Sequence, residues 1–413
     1  MIFRFIAFIP FFIITACAQT SSPVQVSPEL DIRVPNTNHF LFISDIHLNT
    51  FGPGPSAYGE DTQMDLWAMA KAKLMSQTHG LQRPEFIIYT GDLPDHTPDN
   101  GADHDTNIRT VLNELLDIAG DIPLFYAPGN NDPRGGDYHP FLDASCETPL
   151  DLARANSGYP APNADTIYTY DNALGYYSAR PFKGLRIIAL NSVMFSSSHD
   201  SVYPDHCISD TLNQDQESSD QLNWLKGELT DAKTQNEKVY LIMHIPPGRD
   251  AYSGKSMWKD GRWTDSLLTY ANQYSSTISG LFYGHTHMDE VRRLSVPGDT
   301  SLFSVVAISA PGISPKFKNN PGFKNVHYNT AFEPVNFETF YTEEVNGVWG
   351  VADTSWGNKS YTFKDIYGPG TTIKQVISDY PIALLYQHMI NFYMVKSAHS
   401  SGSSHIQEGI SVK

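Results

Sequence analysis

Seven short apolar runs rich in β-branched and aromatic residues recur along the chain: HFLFIS (39–44), EFIIYT (85–90), IPLFYA (122–127), LRIIAL (185–190), KVYLIM (238–243), ISGLFY (278–283) and SLFSVVAIS (301–309). Each reads as a buried strand. Helical periodicity lies between them. Ile108, Val111, Leu112, Leu115 and Leu116 follow the i, i+3, i+4 rule, as do Leu222, Leu225 and Leu229, and Thr62 and Asp65 are placed to cap a helix running through Leu74. Strands alternating with helices predict an α/β class. Segments 133–180 and 191–219, rich in Gly, Pro, Ser, Asn and Tyr, read as long surface loops or small subdomains. Beyond about residue 330 the strand pattern fades, and PIALLYQHMINFYMV (381–395) predicts a helix packed on the main domain.

A chain of 413 residues with 40% hydrophobic content can bury one large core or two. Its net charge of −17, with no offsetting Lys/Arg cluster, argues against a nucleic-acid duplex as partner. Phosphate substrates remain open if metal ions supply the positive charge locally.

The N-terminus, MIFRFIAFIPFFIITAC, has an early Arg, an apolar run too short to span a membrane comfortably, and small residues before Cys17. It reads as an export signal over residues 1–17. Ile14-Thr15-Ala16-Cys17 resembles a bacterial lipobox, which predicts a lipid anchor on Cys17 and a lipoprotein facing the periplasm or cell exterior. Cleavage after Ala18 would instead give a secreted protein. Residues 18–35, polar and Pro-rich, read as a flexible tether. Cys146 and Cys207 are then an even pair in an exported protein, forming either a disulfide or two buried thiols.

The residues just past the apolar runs carry the chemistry. The runs end in Ser44-Asp45-Ile46-His47, Gly91-Asp92-Leu93-Pro94-Asp95-His96, Gly129-Asn130-Asn131-Asp132, His244-Ile245-Pro246-Pro247-Gly248 and Gly284-His285-Thr286-His287. Open α/β sheets build their sites at that carboxyl edge. Imidazole and carboxylate suit zinc, manganese or iron, and a shared carboxylate can hold two cations side by side. A single Asp-x-His or His-x-His is weak, since most are surface or structural. Five in order, each after an apolar run, point to a dimetal site.

These motifs resemble, in order, those of the calcineurin-like metallophosphoesterases. GDLPDH, HIPPG, GHTHMDE and SAPGISPKFKNNPGF (309–323) are similar to the narrower group of acid sphingomyelinase-like phosphodiesterases and endopolyphosphatases. The resemblance implies an α/β fold, a metallophosphoesterase-type sandwich of two β-sheets flanked by helices. It covers a catalytic domain at 36–330, followed by a small helical C-terminal subdomain at 331–400 and a mobile tail at 401–413. By matching position, it implies that Asp45, His47 and His287 hold one divalent ion and Asn130, His244 and His285 the other, with Asp92 bridging. A water or hydroxide between the ions would be the nucleophile. His96 matches the histidine that protonates the leaving oxygen or steadies the phosphate. Asp95 stands where purple acid phosphatases carry a tyrosine that ligates ferric iron, so a zinc-like pair is expected, with manganese or iron still compatible.

Asn131 departs from most relatives, which have histidine there. An amide carries no charge and offers only neutral hydrogen bonds to a phosphoryl oxygen. Endopolyphosphatases resemble this chain in their GNND form, so Asn131 is kept as a catalytic candidate. The expected function is an exported dimetal phosphoesterase acting on a phosphodiester or phosphoanhydride. Its substrate would be a lipid headgroup ester, a nucleotide or polyphosphate. A rival of another class is a catalytically weak, ligand-binding lipoprotein that keeps the fold.

Overall fold

The computed structural model describes residues 24–25, 37–96, 101–149, 167–203, 206–208, 212–259, 261–350 and 355–413. The export signal lies outside these residues, as does the tether apart from 24–25. In chain order the first elements are β1 (Val24–Gln25), β2 (His39–Ile43), β3 (Leu48–Asn49), β4 (Thr62–Gln63), α1 (Met64–Thr78), β5 (Ile87–Tyr89), α2 (Ala102–Ala119) and β6 (Leu124–Tyr126). Next come β7 (Ile167–Asp171), β8 (Tyr176–Phe182), β9 (Leu185–Ala189), α3 (Gln214–Thr234), β10 (Lys238–Ile242), α4 (Gly261–Gln273) and β11 (Ile278–Tyr283). The remainder holds β12 (Val291–Val296), β13 (Asp299–Ser309), β14 (Gly322–Tyr328), β15 (Pro334–Tyr341) and β16 (Lys359–Thr362). Four short helices come after them, α5 (Phe363–Tyr367), α6 (Ile373–Ser378), α7 (Ile382–Met389) and α8 (Ile406–Gly409), and then β17 (Ser411–Val412).

Two sheets face each other. One runs β1-β7-β8-β9-β10-β11-β13-β12-β17 and the other β16-β15-β14-β2-β5-β6. The centres are parallel, β9 with β10, β11 and β13 in one and β2 with β5 and β6 in the other. Parallel strands are covered on both faces, which is why these runs are apolar at every position. Alternate residues divide accordingly. Tyr240, Ile242, Phe282, Val306 and Ile308 join the core between the sheets, whereas Val239, Leu241, Leu281, Tyr283 and Val305 pack under the helices of the nine-stranded sheet. Phe40 meets Phe282 edge-on at 5.1 Å and stacks on Phe86 at 4.8 Å, so aromatic rings fill much of the gap. Burying each such ring contributes about 1.5–3 kcal/mol.

Several boundaries differ from those read in the sequence. Residues 167–182 form the antiparallel pair β7 and β8 inside the stretch expected to be loop. The helix after Thr62 starts at Met64 and is capped by Gln63 without a side-chain bond; Asp65 instead accepts from the backbone of Ser56 and Leu66. The C-terminal helices are present, but residues 331–400 also supply β15 and β16 to the six-stranded sheet, so the boundary at 330 cuts the β14–β15 hairpin. Within the expected tail at 401–413 lie α8 and β17. Ile406, Ile410 and Val412 are buried, and β17 pairs in parallel with β12. Cys146 and Cys207 form a disulfide closing 61 residues of chain. No helix among the described residues is long and apolar enough to cross a membrane.

Candidate metal centre and active site

The strand ends bring every candidate residue to one edge of the sandwich. Asp45 and His47 follow β2, Asp92 and His96 follow β5, Asn130 and Asn131 follow β6, His244 follows β10, and His285 and His287 follow β11. Backbone geometry there is strained. Asp45 (φ 50°), His47 (46°), Asp92 (62°), His285 (70°) and His287 (60°) all occupy the left-handed region, at a cost of roughly 1–3 kcal/mol each. Glycine lets the turns meet: a Cβ on Gly129 would lie 2.2 Å from the Asp92 nitrogen. Asp132 ties the same turns, accepting from the backbone of Asp92 at 3.1 Å, Leu93 at 2.6 Å and Gly129 at 2.6 Å, and from the Tyr126 hydroxyl at 2.5 Å.

Two half-sites share the Asp92 carboxylate. Asp92 Oδ2 is 3.3 Å from His47 Nε2 and 3.1 Å from His244 Nε2. On one side, His47 Nε2 is 3.1 Å from His287 Nε2, and Asp45 Oδ1 lies 3.5 Å from His287 Nε2. On the other, Asn130 Oδ1 is 3.0 Å from His244 Nε2, while Asp92, His244 and His285 cluster closely enough to share an ion.

Hydrogen bonds behind the candidate ligands fix their orientation. His47 Nδ1 lies 3.0 Å from the Pro94 carbonyl, His244 Nδ1 2.6 Å from that of Thr90 and His287 Nδ1 3.3 Å from that of Ser314. A carbonyl only accepts, so each Nδ1 is the protonated nitrogen and each Nε2 turns a lone pair inward. Asn130 donates Nδ2–H to Asp137 at 2.8 Å, which likewise turns its oxygen inward. Converging lone pairs and carboxylates repel one another unless a cation lies between them, so the donor set fits divalent metal.

The charges agree. Burial opposes the cationic forms of His47 and His244, but the Asp92 carboxylate overrides it, lifting His47 well above its ordinary value and His244 to about 9. Burial lowers His285 to about 4 and His287 to about 3. Against burial, His287 and then His47 bring Asp45 down to about 2.

His96 joins the site, its ring stacked on His47 at 3.9 Å. Its Nδ1 lies 2.7 Å from Asp61 Oδ1, and Lys316 Nζ is 3.3 Å from the other oxygen of Asp61. Phe317 closes this side, edge-on to His287 at 4.7 Å. Asn131 sits beside the shared carboxylate. It is buried and donates Nδ2–H to Asp92 Oδ2 at 3.1 Å, with its backbone N–H on Oδ1 at 2.9 Å. Its amide therefore faces the shared carboxylate. Sequence reasoning missed Asp61, Asp132 and Asp137 as supports; Asp61 lies 35 residues from His96 and carries no motif.

A family model for calcineurin-like phosphoesterases matches residues 39–289, which holds all nine candidates. The chain belongs to this family. As a calcineurin-like phosphoesterase it is a metal-dependent phosphoric ester hydrolase. It is similar to the cyclic GMP-AMP phosphodiesterase SMPDL3A of Mus musculus, 28% identical over 327 residues, covering 72% of this chain and 69% of that one. Sphingomyelinase phosphodiesterase D of Dictyostelium discoideum is 26% identical over 314 residues, covering 75% and 66%. Sphingomyelin phosphodiesterase of Homo sapiens is 28% identical over 277 residues, covering 66% of this phosphoesterase but 41% of the human protein.

Proposed function

We propose that this phosphoesterase hydrolyses phosphodiesters with two divalent ions, zinc before manganese or iron. Asp45, His47 and His287 would hold one, Asn130, His244 and His285 the other, with Asp92 shared. The observation that carries this reading is the inward convergence of His47, His244 and His287 Nε2 and Asn130 Oδ1 on the Asp92 and Asp45 carboxylates. When bound, such ions supply Lewis acidity toward a phosphoryl oxygen and make water nucleophilic near neutral pH. The chain's own residues do the rest. Asn131 steadies Asp92, and Asp61 accepts the Nδ1 proton of His96, leaving Nε2 as the nitrogen that delivers a proton to the leaving oxygen.

The relatives' names favour a sphingomyelin-like headgroup ester or a nucleotide diester as substrate. A phosphoanhydride, as in an endopolyphosphatase-like enzyme, is the second reading, favoured by the GNND turn. The disulfide supports export, since such bonds persist in oxidising compartments. Anchoring through Cys17 completes this proposal.

The test is turnover of a chromogenic phosphodiester by purified protein before chelation, after chelation and after reloading with zinc or manganese. Activity should vanish and return, with metal content approaching two ions per chain, and Asp92→Ala should remove both. Turnover indifferent to chelator would overturn the reading. Sphingomyelin, a cyclic dinucleotide and polyphosphate, compared under one metal loading, then rank the substrates.

A further inference from the structure

At the end of the nine-stranded sheet away from the metal centre, a cavity of about 640 Å³ opens between α6 and the starts of β10, β11 and β13. β11 runs from Ile278, on this cavity, to Tyr283, next to the His285 turn, a span of about 17 Å at the strand rise. The two sites share no residue. Ile278, Val306 and Ile308 give the cavity a buried apolar lining, and Leu302, 57% exposed, lies among its outer residues.

Its polar walls are cationic on a strongly acidic chain. Lys238, Arg293 and Lys374 line it against one carboxylate, Glu333. Arg293 is 7% exposed, and no carboxylate pairs with it among the described residues. Its Nη2 donates to the carbonyls of Ile377 and Tyr380, its guanidinium lies 4.9 Å from the Phe303 ring centre, and its Nε finds no acceptor among the described residues. A buried cation without a counter-charge is costly, and its field favours an anion. Burial, only partly offset by Glu333 and reinforced by Lys238, holds Lys374 below its ordinary value.

We propose that this cavity binds an amphiphilic anion, with a carboxylate or phosphate head against Arg293, Lys238 and Lys374 and an apolar chain over Ile278, Val306 and Ile308. Such a ligand supplies the missing counter-charge and covers the apolar lining together. A cationic or uncharged amphiphile does only the second.

The experiment is isothermal titration calorimetry of the metal-loaded protein with decanoate and with decyl phosphate, the two arms separating the head groups. Decanol and decyltrimethylammonium are the charge controls. One saturable site for at least one anion is expected, weakened tenfold or more by Lys374→Glu and by Leu302→Asp. Both substitutions lie outside the phosphoesterase site and should leave phosphodiester turnover unchanged. An anion that binds Lys374→Glu as tightly as wild type, binds no better than decanol, or shows no saturable binding would overturn the proposal.

Discussion

Asn131 and Asp61 show how one side chain sets the chemistry of another. Asn131 donates to a buried carboxylate shared by two half-sites, and hydrogen bonds to charged groups contribute about 1.5–3 kcal/mol. Asn131→Ala should lower turnover ~10–100-fold, with metal affinity falling in step, as for other partners of metal ligands. Titrating activity against zinc checks this, and an unchanged curve would make Asn131 a turn residue only. In the proposed mechanism Asp61 acts through His96, whose Nδ1 lies 2.7 Å from its carboxylate. Asp61→Asn should slow an alkyl phosphodiester ~10²-fold, the scale of general-acid catalysis. An activated aryl diester, whose leaving group needs no proton, should change little. Equal losses on both substrates would place Asp61 in the metal site's architecture rather than in proton delivery.

At the scale of elements, the C-terminal strand supports the turn that carries His244. The β17 edge pairs with β12, and His405 donates its backbone N–H to Ala251 O at 2.9 Å in the loop after His244. Arg292, paired with Glu290, donates to the carbonyls of Pro247 at 3.1 Å and Arg249 at 3.2 Å in that loop. Deleting residues 405–413 removes the buried side chains of Ile406, Ile410 and Val412, each worth about 1.5–3 kcal/mol. The truncated protein should melt several degrees lower and turn over more slowly, as calorimetry and a chromogenic assay would record. An unchanged Tm would return this segment to the mobile tail its composition suggested.

For the molecule as a whole, a histidine pair far from the metal centre ties stability to pH. His39 on β2 and His327 on β14 stand opposite each other with ring centres 5.3 Å apart. Burial, then His327, lowers His39 against the backbone oxygen of Thr37 and the Glu85 carboxylate. Burial lowers His327, with Lys364 adding to it and Glu338 opposing. Both values lie below the ordinary 6.5, so the folded state binds fewer protons than the unfolded chain as the medium acidifies. Their contribution is therefore full above pH 6.5 and lost as pH falls through the lowered values. The metal-loaded protein should lose Tm as pH falls below the ordinary histidine value of 6.5. A His39→Gln/His327→Gln variant should lose less, and identical pH profiles would remove the pair from the account.

The parallel centres of both sheets were legible from residue order, because strands buried on two faces must be apolar at every position. So were the residue types of the centre, since Asp45, His47, Asp92, His244, His285 and His287 all stand just past such runs. Other features arose only with the folded chain. β15, β16 and β17 lie toward sheet edges and mix buried with partly or fully exposed positions, so no continuous apolar run announces them. The inward turn of His244 depends on a carbonyl 154 residues away at Thr90, and the placing of His96 on Asp61, 35 residues earlier. Asn131 could be named from its motif, but its partner could not. Apolar patterning is local and survives in the linear sequence, whereas hydrogen bonds between distant turns exist only once the sheets have paired.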